Sequence, residues 1–500
     1  MAFVDQLKTL RSRRSPFAIH IDLDRTKEVP LQRQLYDQMR QAILSGRVPA
    51  GCPLPSTRSL AIELACARNT VLGAFEQLLA EGYVTGRRGA GTFVANILPE
   101  KIPRGSIQIG SSDGSSLSSR LSDIGETIAG IMPNRGERFV SFVPSVPEIG
   151  MFPFAVWAQA LSSTWANPSQ LLATYLDARG WTPLREAIAQ HLRSTRMVVG
   201  DADQVIITSG AQHSIDMVAR LLLNRGDVVW IEDPGYPGTR AALLAAGMHV
   251  VPIPLDEHGI DIAAGRDADK PRMIVVAPSH QYPLGCVMSL KRRLELIAFA
   301  ESNQAFLLED DYDSEFRFTG EPLASLQGLD AGRRTIYVGT FSKTMFPAVR
   351  TGFIVLPERF SEAFSKARAG LDIQPAIVSQ PALAAFIREG HLASHVRRMR
   401  MVYLRRQQAL VAALDKLAQG VLTAEMQETG LHLVARLDRQ LGLDDRQASA
   451  KAQAGGIAAP PLADYFCDGR ATDRLLLGFG TTPESVMDDR VLQLVNSLRR

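Results

Sequence analysis

The stretch TIYVGTFSKTMFPAVRTGFIV, residues 335–355, decides the fold and the chemistry of most of this chain. Its apolar start predicts a buried strand that delivers Ser342 and Lys343 into a loop. A lysine that a strand end offers to a pocket can form a Schiff base when desolvation lowers its pKa. Thr340, Ser342 and Arg350 would supply hydroxyl and guanidinium donors for a phosphate. A Ser-Lys pair alone is not specific, so its meaning depends on the neighbouring strings.

Upstream, AFLLEDDYDSEF (305–316) predicts a buried strand that ends in a carboxylate cluster. On its own this cluster would indicate a solvated acidic turn or a metal site. With Lys343 downstream, a carboxylate here can pair with the protonated pyridine nitrogen of pyridoxal phosphate. A nearby tyrosine can then hydrogen-bond the phenolic oxygen of the cofactor ring.

Two further strings follow predicted strands. SGAQHSID (209–216) opens a helix, so the amides of Gly210, Ala211 and Gln212 form a seat for a phosphate. EDPGYPG (232–238) puts Tyr236 after a turn, where its ring could stack on a flat cofactor or simply pack in the core.

From about residue 137 to residue 500, apolar β-type runs alternate with amphipathic helical stretches; QVIITSG, DVVWIEDPG and MIVVAP are examples of such runs. Near-continuous Val, Ile and Leu strands separated by helices indicate a mostly parallel α/β sheet.

The order of these strings, across about residues 140–356, resembles that of fold-type I aminotransferases: an SGxQ phosphate cradle, an aromatic residue in DPGYPG, a Pro-Gly loop (SHQYPLG), a carboxylate–tyrosine strand end and SK…R. The resemblance implies a domain that binds pyridoxal phosphate, with a smaller C-terminal α+β subdomain. It implies that Lys343 forms the internal aldimine, Asp310 pairs with the pyridine nitrogen, Tyr312 contacts the phenolic oxygen and Tyr236 stacks on the ring. The residues expected near the phosphate are Gly210, Ala211, Gln212, Thr340, Ser342 and Arg350.

Two features depart from working aminotransferases. Their NPTG-type loop offers an asparagine to the cofactor, whereas this chain has the sequence QYPLG at 281–285. They also carry the aspartate three residues before the tyrosine, where this chain has Glu309, with Asp310 two residues before. For the arginine that would bind an effector carboxylate, the nearest candidate is Arg474 in ATDRLLLGFG, which could equally be a surface residue.

The front of the chain, residues 27–95, follows a different pattern. VPLQRQLYDQMRQAILSGRV (29–48) places apolar residues on one helical face. Ser56 or Thr57 can cap a short helix over 58–65, and a second helix from about 69 to 81 ends before Gly82. This is the helix-turn-helix plan, and YVTGRRGAGTFVA then alternates as two short strands around a glycine-rich basic loop.

The strings LPSTRSLA, RNTV and GAGTFV resemble the winged helix-turn-helix of the GntR family. The resemblance implies operator binding as a dimer, with Arg58, Arg68, Thr70 and Gly89 as DNA contacts. Asn69 at the second helix start and Arg88 in the wing are further candidates by position. Leu72 stands where some relatives have another arginine.

Together the two parts resemble the MocR subfamily, in which a winged-helix module is fused to an aminotransferase-like domain. The resemblance implies a homodimeric DNA-binding transcriptional regulator that binds pyridoxal phosphate and senses a small amine, an amino acid or pyridoxal phosphate itself. A catalytically active aminotransferase with a DNA-binding appendage is the alternative. A DNA-binding protein with a mere dimerisation scaffold is disfavoured by the intact candidate residues.

Composition agrees with two soluble parts of different charge. The chain is 46% hydrophobic and 21% charged, which excludes a largely disordered or fibrous protein. Residues 1–104 hold 15 Lys and Arg against 9 Asp and Glu, whereas the remainder holds 40 against 43. A basic front on a slightly acidic body suggests a polyanion-binding module, although a solvated basic surface would look the same.

The cysteines and the boundaries complete the expectations. Four widely spaced cysteines without a CxxC pair predict neither a disulfide framework nor a metal site. Without a signal peptide or an apolar run of about 18 residues, we expect a cytoplasmic protein without membrane contact. Because residues 96–136 are rich in Ser, Gly and Pro, we predict a DNA-binding domain at 1–95, a flexible linker at 96–136 and an aminotransferase-like domain at 137–500.

Overall fold

The structure is a computed structural model that describes residues 21–87, 91–96, 121–131, 141–320 and 324–500. The chain divides into two compact units, the first before residue 120 and the second from residue 120 onward.

The first unit is a helix-turn-helix followed by a two-stranded antiparallel sheet. Its elements are α1 (Leu31–Leu44), α2 (Thr57–Glu63), α3 (Arg68–Ala80), β1 (Val84–Arg87) and β2 (Gly91–Val94). Ser56 caps α2 as predicted, because its Oγ accepts a hydrogen bond from the amide of Ser59 at 3.1 Å. Beyond α3 the chain turns at Gly82, whose φ of 81° lies in the left-handed region that glycine favours.

The core of the first unit comes from one face of each helix. Leu35 and Met39 of α1 are buried against Val71, Phe75 and Leu78 of α3. The apolar spacing of three and four residues therefore fixes which side of α3 is left to face outward.

The second unit is a large α/β structure with a smaller sheet near its end. Its elements are α4 (Asp123–Ile131), α5 (Phe154–Ala166), α6 (Thr182–Arg196), β3 (Val205–Thr208), α7 (Ala211–Leu222), β4 (Val228–Asp233), α8 (Pro237–Ala245), β5 (His249–Asp256), β6 (Gly259–Ile260), β7 (Met273–Val276), α9 (Leu290–Ser302), β8 (Phe306–Asp311), α10 (Leu326–Leu329), β9 (Thr335–Thr340), β10 (Gly352–Val355), α11 (Glu358–Asp372), α12 (Gln380–Arg388), α13 (His391–Leu417), β11 (Leu422–Ala424), β12 (His432–Leu437), α14 (Asp445–Ala454), β13 (Arg474–Gly478) and α15 (Met487–Arg499). Helix α4 lies within the range predicted as a linker and packs against α8.

The large sheet has the strand order β3-β10-β9-β8-β7-β4-β5-β6. Strands β5, β4, β7, β8 and β9 run parallel, whereas β10 is antiparallel to both of its neighbours and β6 is antiparallel to β5. The smaller antiparallel sheet, β11-β12-β13, packs with α13, α14 and α15. The observed architecture confirms the predicted fold class.

The register of the large sheet brings several loops to one edge. Gly352, the first residue of β10, lies opposite both Thr208 at the end of β3 and Thr340 at the end of β9. Asp311 at the end of β8 pairs with Gly339 of β9. Because parallel strands end at the same edge, the segments that follow β3, β4, β7, β8 and β9 meet there.

Candidate functional site

The predicted lysine lies at this sheet edge. Lys343 follows β9 by three residues, and its Nζ donates a hydrogen bond to the backbone oxygen of Ser145 at 2.7 Å. Ser145 lies between α4 and α5, and its hydroxyl lies 3.3 Å from Nδ1 of His432 in β12. The lysine is therefore oriented by a backbone acceptor and is half-buried rather than splayed into solvent.

The end of strand β8 places the predicted acidic residue and tyrosine close together. Asp310 lies in β8 and Tyr312 directly follows its last residue; both side chains are buried, and after burial itself the charge of Asp310 contributes to raising the pKa of the Tyr312 phenol. Within the described ranges, Oδ1 of Asp310 is buried without a hydrogen-bond partner. Burial, then Asp311 and Asp313, raise the pKa of Asp310 to about 7, whereas Lys343 acts in the opposite direction.

Glu309 occupies the other face of the same strand. Its carboxylate accepts hydrogen bonds from the amides of Leu326 and Gln327 at the start of α10, at 3.1 and 3.0 Å. Asp311 also lies on that face and pairs with Arg196 at 2.7 Å. Glu309 is thus committed to the fold, and the alternation explains why the available carboxylate is the one two residues before the tyrosine.

The predicted phosphate residues meet at the start of α7. Gly210 precedes this helix with φ of 107°, and a Cβ there would lie 3.4 Å from Nη1 of Arg350. A Cβ on Gly352 would lie 2.8 Å from the Cα of Gly210, so both glycines permit a close backbone approach. Ala211 and Gln212 begin the helix, whose free amides and dipole favour an anion.

The hydroxyl donors belong to the same group. Oγ1 of Thr340 donates to Oγ of Ser342 at 3.1 Å and accepts from the amide of Ser342 at 3.2 Å. Thr340 ends β9 and Ser342 follows it, so both lie at the edge where the guanidinium of Arg350 and the start of α7 also lie. Hydroxyl, guanidinium and amide donors at one helix terminus are a donor set suited to a phosphate monoester.

Aromatic rings form the remaining wall. The ring centroid of Tyr282 lies 5.9 Å from that of Tyr236 and 5.9 Å from that of Tyr312, both edge to face. The side chain of Gln281 instead donates to the backbone oxygen of Pro234 at 2.8 Å and accepts from the amide of Leu284 at 3.0 Å. The glutamine thus ties the loop after β7 to the loop after β4, and Tyr282 is the loop residue that faces the other tyrosines.

These residues fit pyridoxal phosphate. The partnerless oxygen of Asp310 suits a protonated ring nitrogen, and the oriented amine of Lys343 suits an aldehyde. The Gly210–Arg350 cradle suits the phosphate.

Two members of this site, His280 and Ser145, were not among the residues predicted from the sequence. His280 is buried, and its Nδ1 lies 3.0 Å from both carboxylate oxygens of Asp313 and 2.9 Å from the hydroxyl of Tyr312. Ser145 was missed as the acceptor for Lys343. His280 stands in the quoted Pro-Gly loop (SHQYPLG), and its position in that loop is the signal that could have found it.

Arg474 is not brought together with the other predicted residues. It starts β13, is exposed, and lies opposite Arg436 of β12. At the other end of these two paired strands, Gly478 lies opposite His432. Four residues of strand separate the two ends by about 13 Å. His432 contacts the loop after β7 through Pro283, so the Gly478 end is the end near the tyrosines.

In the first unit, the candidate DNA contacts cluster at two helix starts. Arg58 is the second residue of α2, and Arg68, Asn69 and Thr70 form the first turn of α3. The arginines and the asparagine are exposed, and Leu72, 40% exposed, continues the same face one turn later. Arg88 and Gly89 of the predicted wing lie outside the described residues. The first turn of the second helix is the part that reads base edges in helix-turn-helix proteins.

Among the helices of the described ranges, none is both long and apolar enough to cross a bilayer.

Two family descriptions match different parts of the chain. Residues 31–94 match the bacterial regulatory proteins of the gntR family, and residues 148–485 match the aminotransferases of class I and II. The two matches coincide with the helix-turn-helix of the first unit and with the α/β structure of the second.

Full-length relatives combine both parts. The chain is 39% identical to the probable rhizopine catabolism regulatory protein MocR of Rhizobium meliloti, across 95% of this chain and 94% of that protein. It is 30% identical to the pyridoxine biosynthesis transcriptional regulator PdxR of Corynebacterium glutamicum, across 93% and 96%. Among solved structures it resembles the α-aminoadipate aminotransferase LysN of Thermus thermophilus in complex with N-(5'-phosphopyridoxyl)-L-leucine, with 26% identity, a TM-score of 0.65 and coverage of 76% of this chain and 95% of that one.

Proposed function

Because this chain belongs to the MocR subfamily of GntR-type transcriptional regulators, we propose that its aminotransferase-like unit senses a small amine or amino acid and thereby controls operator binding. The protein is a DNA-binding transcriptional regulator, and its cofactor is pyridoxal phosphate. The identity of the effector and its action on the DNA-binding unit belong to the proposal.

The observation that carries the proposal is the meeting of Lys343 and Asp310 at one sheet edge, with the start of α7 beside them. When bound, pyridoxal phosphate supplies an electrophilic aldehyde carbon that joins reversibly to amines. Lys343 would hold the cofactor covalently, Asp310 would keep a proton on the ring nitrogen, and Arg350 with the α7 amides would hold the phosphate.

An amine effector that takes the place of Lys343 would return the lysine amine to its backbone acceptor at Ser145. Ser145 lies between α4 and α5, in the N-terminal part of the second unit. An effector changes operator affinity only by as much as its affinities for the two states differ. We propose that the Lys343–Ser145 contact is one part of that difference.

We further propose a cytoplasmic homodimer. Operator binding requires access to DNA, and a dimer presents two helix-turn-helix units to two half-sites. The boundaries 1–95, 96–136 and 137–500 remain a proposal as well, with α4 as a helical element inside the second range. Contacts to phosphates by basic residues should make operator binding fall steeply with salt.

The deciding experiment is a titration of the purified full-length protein with a panel of amines and amino acids, followed by visible absorption and operator binding. The proposal expects one compound to shift the absorption band to a stable new position and to change operator affinity. Conversion to the pyridoxamine form, reversed by a keto acid, would instead establish an aminotransferase.

A further inference from the structure

A buried histidine and a buried aspartate stand directly behind the tyrosine of the cofactor site. His280 and Asp313 are each 1% exposed, and Nδ1 of His280 lies 3.0 Å from both oxygens of Asp313. The hydroxyl of Tyr312 lies 2.9 Å from the same nitrogen. Two oxygen partners thus compete for one ring nitrogen.

We propose that Asp313 and His280 are a positioning pair that directs the hydroxyl proton of Tyr312 away from the imidazole and toward the cofactor. This inference rests on the proposed placement of pyridoxal phosphate beside Lys343 and Asp310. It assigns no catalytic step to the histidine, which acts through the tyrosine.

The hydrogens available to Asp313, His280 and Tyr312 decide which group donates to which. An ionised carboxylate only accepts hydrogen bonds, and a histidine nitrogen carries at most one hydrogen. The hydrogen on Nδ1 of His280 therefore belongs to Asp313, because a buried carboxylate without a donor is costly. A protonated Nδ1 has no lone pair for the hydroxyl of Tyr312, so the tyrosine proton must find another acceptor.

The packing holds the ring in this orientation. Nε2 of His280 is buried without a partner within the described residues. It faces the backbone of Gly285 and Gly430, and a Cβ on Gly430 would overlap the ring. A ring so enclosed has no room to turn and offer Nδ1 elsewhere. The ring centroid of the second nearby histidine, His432, lies 5.3 Å from that of His280. His432 does not supply an acceptor for the hydroxyl proton of Tyr312.

The charges around Tyr312 act in the same direction. The groups that raise the pKa of its phenol, after burial itself, are Asp313, Tyr282, Asp310 and Glu232. A phenol in this setting stays protonated and has one proton to donate. The phenolic oxygen of pyridoxal phosphate is an acceptor for that bond, and a donated bond favours its anionic form.

The test is the pH dependence of the visible absorption of the cofactor-loaded full-length protein. In Asp313→Asn the carboxylate becomes an amide that can donate to Nδ1, so the nitrogen becomes an acceptor and competes for the tyrosine proton. When the hydroxyl of Tyr312 no longer donates to it, the phenolic oxygen of the cofactor stays protonated to higher pH. We expect the midpoint of the spectral change to rise by about one pH unit, a roughly tenfold change in proton affinity.

Two further variants make the test specific. Tyr312→Phe should raise the midpoint in the same direction, and adding Asp313→Asn to it should produce no further rise, because both changes remove one hydrogen bond. Asp445→Asn is the matched control, since Asp445 is also a buried carboxylate, bound to the amides of Ala463 and Thr472. Its midpoint should equal that of the unmodified protein.

An unchanged midpoint in folded Asp313→Asn, or a second additive rise in the double variant, would overturn the inference. If Asp313→Asn does not fold, His280→Leu takes its place: a side chain without an N–H deprives Asp313 of its donor, leaves its carboxylate to accept the hydroxyl proton of Tyr312, and should raise the midpoint as well. An unmodified protein that takes up cofactor without any visible band would overturn the proposed function and this inference together.

Discussion

Nζ of Lys343 and the backbone oxygen of Ser145 are joined by a hydrogen bond of 2.7 Å across 198 residues of sequence. The contact connects the residue that would carry the cofactor to the segment between α4 and α5, in the N-terminal part of the second unit. Any event that moves the lysine amine on or off this oxygen therefore makes or breaks a hydrogen bond to that segment.

We predict that Lys343→Ala abolishes the visible absorption of the protein incubated with pyridoxal phosphate, because Lys343 supplies the amine that would hold the cofactor. Operator binding by the first unit should survive, since that unit has its own core. Absorption spectra and gel-shift titrations check both parts. Retention of the band after dialysis would mean that another lysine carries the cofactor.

We predict that Gly352→Ala lowers affinity for pyridoxal phosphate at least tenfold. Its Cβ would lie 2.8 Å from the Cα of Gly210 and 2.9 Å from the oxygen of Gly339, so the phosphate cradle must open. Gly370→Ala in α11 is the control, because a Cβ there meets nothing within 4 Å among the described residues. Equal cofactor dissociation constants in both variants would contradict the assignment of the cradle.

We predict that Arg68→Ala weakens operator binding by about 1–3 kcal/mol without any change in cofactor uptake, because the proposed contact of its guanidinium to a base edge would be lost. Arg68→Lys is the informative control. It keeps the charge but not the planar fork, so the salt dependence should be retained while sequence preference falls. A variant that binds the operator and random DNA with the original ratio would refute base readout by Arg68.

We predict that the stability of the protein falls as pH rises toward 8, in part because of Glu232. Burial raises the pKa of this carboxyl to about 8, so between the ordinary glutamate range and pH 8 the folded state binds more protons than the unfolded state. The contribution of Glu232 to the free energy of unfolding is complete below its pKa in the unfolded state and is lost as the pH rises through its pKa in the folded state.

Glu232→Gln should therefore melt near the temperature of the unmodified protein at pH 5 and above it at pH 9, by an amount equivalent to about 1–3 kcal/mol. Thermal melting at both pH values checks this. The carboxylate of Glu257 is exposed, with 85% of its side chain accessible. Glu257→Gln should therefore leave the difference in melting temperature between pH 5 and pH 9 unchanged. A parallel loss at both pH values in Glu232→Gln would indicate a purely structural role.

The amino-acid sequence determined the local elements and their order. Helix caps, glycine stops and apolar periodicity predicted α2, α3 and the strands that deliver Lys343 and Asp310, because these features depend on neighbours along the chain. The period of two in β8 puts Asp310 on the face opposite to Glu309, whose carboxylate accepts hydrogen bonds from the amides at the start of α10.

Tertiary structure alone decided which distant residues complete the site. His280 meets Asp313 across 33 residues, and Ser145 meets Lys343 across 198, through strand order and loop closure that no local pattern encodes. The register between β12 and β13 likewise set Arg474 at the end of its strand opposite to His432. Register follows from how whole faces pack, and one strand sequence fits several registers until its partners are fixed.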